Sequence, residues 1–221
     1  MGRVEHRVSG ALIGWVAFVV IFATLQYVGQ LLSDPQEGVA YRWASSISAL
    51  ISSAVVLAIA LLLARGRDLR EAFALRKPPS WGSATAISVA VILTVIAVSA
   101  VLAPFADPEE EQGLVPTEWR SDRVAPFLAF AFIVVVVAPL IEEMMFRGIG
   151  FSLLEPFGER VAVIVVGVAF GLVHGLVEGF LIIAVLGTGL AVLRSRTQSL
   201  YPCILLHSAF NATALVLGLT T

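Results

Sequence analysis

The chain has 221 residues, of which 58% are hydrophobic and only 14% are charged, and its mean hydropathy is +0.94. Soluble domains carry about 45–50% apolar and about 25% charged residues, so this composition excludes a soluble globular fold and indicates a polytopic membrane protein. The formal net charge is −2 and no basic block occurs, so no nucleic-acid partner is predicted. The single Cys203 excludes an intrachain disulfide and a cysteine-rich metal site.

Apolar runs of about 20 residues predict the membrane-spanning helices. We expect an all-α transmembrane bundle of about seven helices (six to eight) that forms one integral membrane domain over residues 1–221. The predicted spans lie at about 10–32, 43–64, 82–105, 124–154, 161–174, 179–193 and 198–219. Two of the apolar runs, 161–173 and 179–193, are only about 20 Å and 22 Å long, against a hydrocarbon core of about 30 Å.

The segment 174–179, His-Gly-Leu-Val-Glu-Gly, separates these two short runs. Its two glycines predict a turn that lies within the membrane. Non-helical backbone at that depth is tolerated only against protein or a water-filled cavity, so the segment predicts an intramembrane polar cavity. Glu178 would orient the His174 imidazole if the helix continued, and is otherwise a turn residue.

The distribution of lysine and arginine predicts the orientation. If the N-terminus is cytoplasmic, 11 of the 14 basic residues fall in cytoplasmic segments. Only Arg42, Arg120 and Arg123 then lie outside. The positive-inside rule therefore predicts a cytoplasmic N-terminus and an external C-terminus.

Three charges, Glu142, Glu143 and Arg147, follow an uncharged run over residues 125–141. One central charge in a membrane helix costs about 2.5–3.5 kcal/mol, so we expect a functional site. Glu143 and Arg147 are four residues apart and would form an ion pair, which leaves Glu142 as the candidate base. Pro139 predicts a kink nearby. Alternatively, the three charges mark the cytoplasmic end of the helix, with both glutamates in water.

Polar side chains also occur in two later runs. His207 and Asn211 are four residues apart and share one face of the last helix, where they could donate hydrogen bonds to a developing oxyanion. They and His174 could instead be polar contacts between helices. Together with Glu142, these groups form a set that suits hydrolysis by an activated water.

The order of these residues resembles a known family, the CAAX-processing and bacteriocin-processing (CPBP, or Abi) intramembrane proteases, to which the Ras-converting CAAX endopeptidases belong. The resemblance covers about residues 125–215 as a protease-like core. It rests on three motifs in chain order, Glu142-Glu143-x-x-x-Arg147, Phe170-x-x-x-His174 and His207-x-x-x-Asn211.

The resemblance implies a helical bundle with a cavity that is reachable from the cytoplasmic side. It implies that Glu142 activates the attacking water and that His174 assists the proton transfers or holds that water. It further implies that His207 and Asn211 stabilise the oxyanion. The remaining motif residues, Glu143 and Arg147, would pair and keep the shape of the site.

Members of this family are widely described as metalloproteases, so the resemblance raises the question of a zinc ion. Glu142, His174 and His207 would be its ligands, with an open fourth position. The sequence has no His-Glu-x-x-His motif. A water activated by glutamate without a metal would use the same residues, and both readings stay open.

The predicted function is therefore an intramembrane endopeptidase that cleaves a membrane-anchored protein or peptide and, given the short chain, processes peptides in a prokaryotic cell membrane. One alternative is a non-proteolytic membrane scaffold or immunity protein of the same fold. Another is a small proton-coupled transporter, since intramembrane glutamate and histidine are typical of proton relays. The lipid bilayer and a membrane-anchored substrate are the expected partners, and no oligomeric state is predicted.

Overall fold

The computed structural model describes residues 2–32, 38–105, 116 and 118–219, and the side chains from residue 10 onward. These residues form helices and connecting turns without a strand, which confirms the predicted all-α fold. The helices are α1 (Gly2–Leu32), α2 (Trp43–Leu63), α3 (Leu69–Ala72), α4 (Trp81–Leu102), α5 (Ser121–Phe157), α6 (Glu159–Leu172), α7 (Phe180–Thr197) and α8 (Tyr201–Gly218).

Six of the helices in the described part of the chain, α1, α2, α4, α5, α7 and α8, are long and apolar enough to cross a membrane. This number lies within the predicted range of six to eight. The seventh predicted span, at 161–174, corresponds to α6, which has 14 residues and is about 21 Å long. Because α6 is shorter than the hydrocarbon core, it is not among the helices that are long enough to cross a membrane by themselves.

Large apolar side chains on the outer faces of α1, α2 and α4 are exposed, as in Ile13 (69%), Leu62 (64%) and Leu93 (61%). Such continuous apolar surface is unusual on a soluble protein. It suits contact with lipid chains, so the chain is an integral membrane protein.

One end of the bundle, here called the basic end, comprises residues 64–80, 155–160 and 194–200. Hydrogen bonds hold the connections of this end together: Leu200 N–H donates to the Ala74 carbonyl over 3.1 Å, and Arg76 Nε donates to the Gln198 carbonyl over 2.6 Å. The charge distribution predicts that this end is cytoplasmic.

The other end, here called the opposite end, comprises residues 38–43, 118–123 and 215–219. The Tyr41 hydroxyl donates to the Glu118 carbonyl over 2.8 Å, and its ring stacks on Phe127 at 5.3 Å between centroids. Leu215 of α8 packs in the same apolar cluster.

Helices α6 and α7 form a tight hairpin through small residues. A Cβ atom at Gly167 would lie 2.7 Å from the Thr188 backbone, and one at Gly187 would lie 2.8 Å from the Gly167 carbonyl oxygen. Close backbone approach of this kind is common between membrane helices. The predicted turn between the two short runs is present at residues 173–179.

A densely packed layer lies between the middle of the bundle and the basic end. Six large side chains form this packed layer, and none is more than 1% exposed: Trp15, Phe73, Met145, Phe146, Ile149 and Phe151. Two glycines make the packing possible, because a Cβ atom at Gly148 would lie 2.7 Å from the Phe73 ring and one at Gly150 would lie 2.6 Å from Trp15 Nε1.

Candidate functional site

The backbone of α5 departs from a regular α-helix on both sides of the predicted base. The segments Ile133–Val137 and Met144–Gly150 are π-helical and flank the α-helical segment Ala138–Glu143. Pro139 lacks an N–H group, so the helix around it cannot keep all of its regular bonds. The kink predicted at Pro139 stays a prediction, whereas the two wide turns on either side of it are a feature often found at functional sites.

These wide turns offer carbonyl groups to side chains from other helices. Asn211 Nδ2 donates to the Val134 carbonyl over 2.9 Å, and Arg194 Nε donates to the Arg147 carbonyl over 3.1 Å. Helix α7 is therefore bonded to α5 at the end of the motif Glu142–Arg147, and α8 is bonded to α5 about two turns before it.

The predicted ion pair between Glu143 and Arg147 is present. Arg147 Nη1 lies 2.9 Å from Glu143 Oε1, and both side chains are 0% exposed. The alternative that both glutamates lie in water at the helix end is wrong for Glu143. Arg147 also donates from Nη2 to the Gly187 carbonyl over 2.9 Å, so it connects the pair to the α6–α7 hairpin.

His207 lies between the two glutamates. Its Nδ1 is 3.0 Å from Glu143 Oε1, and its Nε2 is 3.8 Å from Glu142 Oε2. A carboxylate can only accept a hydrogen bond, so this geometry assigns a proton to Nδ1. The Nε2 atom then faces Glu142, and the imidazole is oriented by the buried ion pair behind it.

Glu142 has a different environment from its neighbour. Its side chain is 30% exposed and lines the cavity of the site, whereas the Glu143 side chain is fully buried. The structure therefore agrees with the expectation from spacing that Glu142 is the freer carboxylate.

His174 lies in the turn just beyond the end of α6 at Leu172. Its Nδ1 is 2.6 Å from the Phe170 carbonyl oxygen, so Nδ1 carries the proton and Nε2 is left as an acceptor. Because the helix has ended, Glu178 does not share a helix face with His174, and it is part of the turn. The turn is also supported from α1, since the Tyr27 hydroxyl donates to the Leu176 carbonyl over 3.0 Å.

The ring of Phe170 joins the polar groups of the site. It lies 4.6 Å from the His174 ring and 5.4 Å from the His207 ring between centroids, and the Arg147 guanidinium carbon lies 4.2 Å from its centroid. A cation over an aromatic face is attracted to it, especially where both groups are buried, as Arg147 and Phe170 are. The Phe170 ring therefore packs against both imidazoles and against the Arg147 guanidinium.

A cavity of about 440 Å³ brings the four predicted catalytic side chains together. It is lined by Glu142, His174, His207 and Asn211 and otherwise mainly by apolar residues. The supporting residues, Glu143 and Arg147, lie behind the wall and not in it. An apolar pocket with a few convergent polar groups is the usual form of a binding or active site.

The cavity runs toward the opposite end of the bundle. Its lining reaches Gln30 near the end of α1 and Leu215 near the end of α8, but on α5 it does not pass Phe146 toward the basic end. The charge distribution predicts that the opposite end is external, whereas the family resemblance implies access from the cytoplasm. These two expectations exclude each other in this structure.

The side chains suggested for a zinc ion do not form a ligand set. Among the described residues, no group of three His, Cys, Asp or Glu side chains is placed to hold a metal ion. Each imidazole uses its Nδ1 on the Phe170 carbonyl or on Glu143, which is also how metal-binding histidines are oriented, so Nε2 of each ring stays available. The positions of Glu142, His174 and His207 themselves do not assemble a zinc set in the described part of the chain.

Several contributors to the site were missed in the sequence. In the sequence Phe170 is only a letter of the second motif, and Arg194 counts only as one of the 11 basic residues in cytoplasmic segments, although it is 2% exposed and bonded to α5. The Gly187 carbonyl, which accepts a hydrogen bond from Arg147, has no signal in the sequence. The small-residue pattern of Gly167 and Gly171, four residues apart, could have indicated a tight hairpin.

Comparison with known proteins relates part of the chain to a family. No curated protein and no solved structure matches the chain. Residues 124–213, which carry all three motifs, match the sequence model of the family described as type II CAAX prenyl endopeptidase Rce1-like. Over these residues the chain is similar to the type II CAAX prenyl endopeptidases, in agreement with its resemblance to the CPBP proteases.

Proposed function

We propose that this protein is an intramembrane endopeptidase that hydrolyses a peptide bond of a membrane-anchored protein or peptide. The observation that carries the proposal is the convergence of Glu142, His174, His207 and Asn211 on one cavity. The family of residues 124–213 is a protease family, which supports the same reaction class.

In the first step, Glu142 is the general base. Its carboxylate takes a proton from a water molecule while the water oxygen forms a bond to the scissile carbonyl carbon, and the carbonyl π electrons move to the oxygen. His174 holds the same water, because its Nε2 is free to accept a hydrogen bond while Nδ1 is bonded to Phe170. General base catalysis of this kind typically contributes about 10²–10⁴-fold.

The oxyanion formed in that step is stabilised from α8. When His207 carries a second proton, Nε2–H donates to the oxyanion while Nδ1–H donates to Glu143. Asn211 uses one amide hydrogen on the Val134 carbonyl and has a second one to donate. Donors that are fixed in advance cost no reorganisation during the reaction.

In the last step, the tetrahedral intermediate collapses. The carbon–nitrogen bond breaks, its electron pair stays on the nitrogen, and Glu142 returns the proton to the leaving amine. Glu143 and Arg147 neutralise each other and keep His207 in place, so their contribution is to position His207 without contact with the substrate.

The test is a peptidase assay on the purified protein in detergent, with quenched substrates that include a CAAX-type lipopeptide and a set of membrane-anchored peptides. We expect cleavage by the wild type and a loss of at least about 10²-fold in Glu142→Gln. Glu71→Gln is the matched control, because Glu71 is an exposed carboxylate at the basic end.

Full activity in Glu142→Gln would remove Glu142 as the base. If a folded, monodisperse wild type cleaved none of these peptides, the scaffold alternative would gain support, and bound membrane proteins would be identified next.

A further inference from the structure

We propose that Tyr27 of α1 is a positioning residue for His174. Tyr27 lies outside the matched residues 124–213, yet its hydroxyl donates to the Leu176 carbonyl, two residues beyond His174, over 3.0 Å. The importance of His174 for cleavage rests on the proposed function. The placement of its ring by Tyr27 rests only on the contacts between α1 and the turn at residues 173–179.

Within its own segment, His174 is held by the preceding helix. Its backbone N–H donates to the Gly171 carbonyl over 3.2 Å, and its Nδ1–H donates to the Phe170 carbonyl over 2.6 Å. After His174 the helical course is lost, because Gly175 has a φ of +71° in the left-handed region. The course of the chain after His174 therefore depends on contacts from another element.

Helix α1 provides these contacts at the end of its buried face. Trp15, Val19, Ala23 and Tyr27 recur every four residues, and the first three pack in the main apolar cluster of the bundle. Over residues 24–32, all of which the structure describes, every residue except Tyr27 is exposed. Tyr27 is thus the last residue of α1 that the bundle partly covers.

The Tyr27 hydroxyl satisfies a backbone group of the turn. Leu176 is 3% exposed, and its carbonyl lies outside the helices. A buried carbonyl without a donor costs free energy. Phenylalanine at position 27 would keep the ring and remove this donor, so the carbonyl would turn toward another donor. The backbone that carries His174, two residues earlier, would move with it.

A second contact joins the same two segments. A Cβ atom at Gly175 would lie 2.8 Å from Gln26 Cβ and 3.0 Å from the Gln26 carbonyl carbon, so this approach requires glycine. Two consecutive residues after His174 therefore lie against two consecutive residues of α1. The first half of the chain thus fixes the exit of the turn, while α6 fixes its entry.

Tyr27 does not itself line the cavity. The residues of α1 in the cavity wall are Phe18, Phe22, Gln26 and Gln30. Tyr27 can therefore act on the reaction only through the turn. A small misplacement of a catalytic group lowers the rate of the chemical step, so loss of the hydroxyl should lower kcat and leave KM unchanged.

The first experiment observes the histidine rings by NMR and needs no substrate. The full chain is purified in detergent with isotope-labelled imidazole nitrogens, in a His6→Gln background that leaves two of the three histidines. His174→Gln assigns the signals of His174 and His207. The nitrogen shifts report which ring nitrogen carries the proton and how it is bonded.

Tyr27→Phe is the test variant, and Tyr41→Phe is its matched control. The Tyr41 hydroxyl makes the same kind of bond, to the Glu118 carbonyl over 2.8 Å, at the opposite end. In Tyr27→Phe we expect the His174 signals to shift or split while those of His207 stay in place. Tyr41→Phe should leave both unchanged. The proposal is overturned if the His174 signals of folded Tyr27→Phe coincide with wild type, or if Tyr41→Phe moves them as much.

Gly175→Ala should displace the His174 signals further than Tyr27→Phe does, because the added methyl group pushes the turn away from Gln26. Gly29→Ala, on α1 and with no atom within 4 Å of its added Cβ, is the control and should leave the signals unchanged. Unchanged His174 signals in folded Gly175→Ala would contradict the proposal. Tyr27→Phe, which removes one oxygen atom, decides the question if Gly175→Ala does not fold.

A second arm measures cleavage of the substrates of the peptidase assay. We expect kcat of Tyr27→Phe to fall about 2- to 10-fold, the size of one neutral hydrogen bond, with KM close to wild type. A rise in KM without a change in kcat would show that Tyr27 shapes binding and would overturn the positioning role. If His174 is displaced while both constants are unchanged, or if the wild type cleaves no peptide, the proposed function is refuted and the placement of His174 by Tyr27 stands.

Discussion

The two halves of α5 differ in how they are packed. Over residues 124–140, buried and exposed side chains alternate and one face lines the cavity, whereas almost every side chain over residues 141–154 is buried. Glu142 stands at the boundary and faces the open half, and Glu143 faces the packed half. One residue of helical rotation, about 100°, thus separates the candidate base from the group that supports it.

This difference indicates that the two halves of α5 have different roles. The packed half holds a buried ion pair and positions His207, and the open half provides space for a substrate. Substitutions in the packed half should therefore change stability first, and substitutions in the open half should change substrate binding first.

The largest effect is expected for Arg147→Met, which leaves the Glu143 carboxylate buried without its cation. Removal of one partner of a buried pair costs about 3–5 kcal/mol. The free energy of unfolding, measured by titration with a denaturing detergent in mixed micelles, should fall by this amount. The double variant Glu143→Gln/Arg147→Met should recover a large part of it. A loss no larger than the roughly 1 kcal/mol of an exposed pair would contradict the packed environment.

A smaller loss is expected for Gly150→Ala, which adds one methyl group to the packed layer. The added Cβ would lie 2.6 Å from Trp15 Nε1. Overpacking of this kind costs about 1–3 kcal/mol, measured by the same titration. In Gly82→Ala of α4 the nearest atom would be Ser80 Oγ at 3.7 Å, so this control should be neutral or slightly stabilising. An equal free energy of unfolding for the two variants would show that the packed layer can rearrange to accept the methyl group.

In the open half, Ala138→Leu should affect the substrate more than the fold. The larger side chain fills cavity space one turn from Glu142, so we expect KM to rise for peptides with large side chains while the unfolding transition stays close to that of wild type. Ala86→Leu on the exposed face of α4 is the control. If Ala138→Leu destabilised the protein as much as Gly150→Ala does, the distinction between the halves would fail.

The smallest effect is expected from a metal chelator. Among the described residues no three donors are placed to hold an ion, and His207 is positioned by its contact with Glu143 of the packed half. The cleavage rate should be unchanged after treatment with EDTA and dialysis. Loss of cleavage that zinc restores would show instead that an ion draws Glu142, His174 and His207 together.

Much of this fold follows from hydropathy, because a membrane requires long apolar helices. The ion pair of Glu143 and Arg147 followed from spacing alone, since residues four apart share a helix face. The short length of α6 depends on the exact end of the helix at Leu172, which a run of apolar residues does not determine. The catalytic roles of Glu142, His174, His207 and Asn211 stay predictions.

Other features could not be predicted because they depend on contacts between distant segments. The direction of the cavity is set partly by Trp15, which is 130 residues from its partner Met145 in the chain. The position of Phe170 among three polar groups depends on the crossing of α6 and α7, and the wide turns of α5 are backbone features without a clear side-chain signal. The burial of Arg194 has no signal in the sequence because its partner is a carbonyl group and not a charged residue.

The close crossing at Gly167 and Gly187 has a consequence for motion. With so little space between their backbones, α6 and α7 can shift only as a rigid body. That body carries His174 at one end and, through the Gly187 carbonyl, holds Arg147 at its middle. Any displacement that admits a larger substrate past His174 would therefore also pull on the guanidinium that orients Glu143, so substrate size and the alignment of His207 are mechanically coupled.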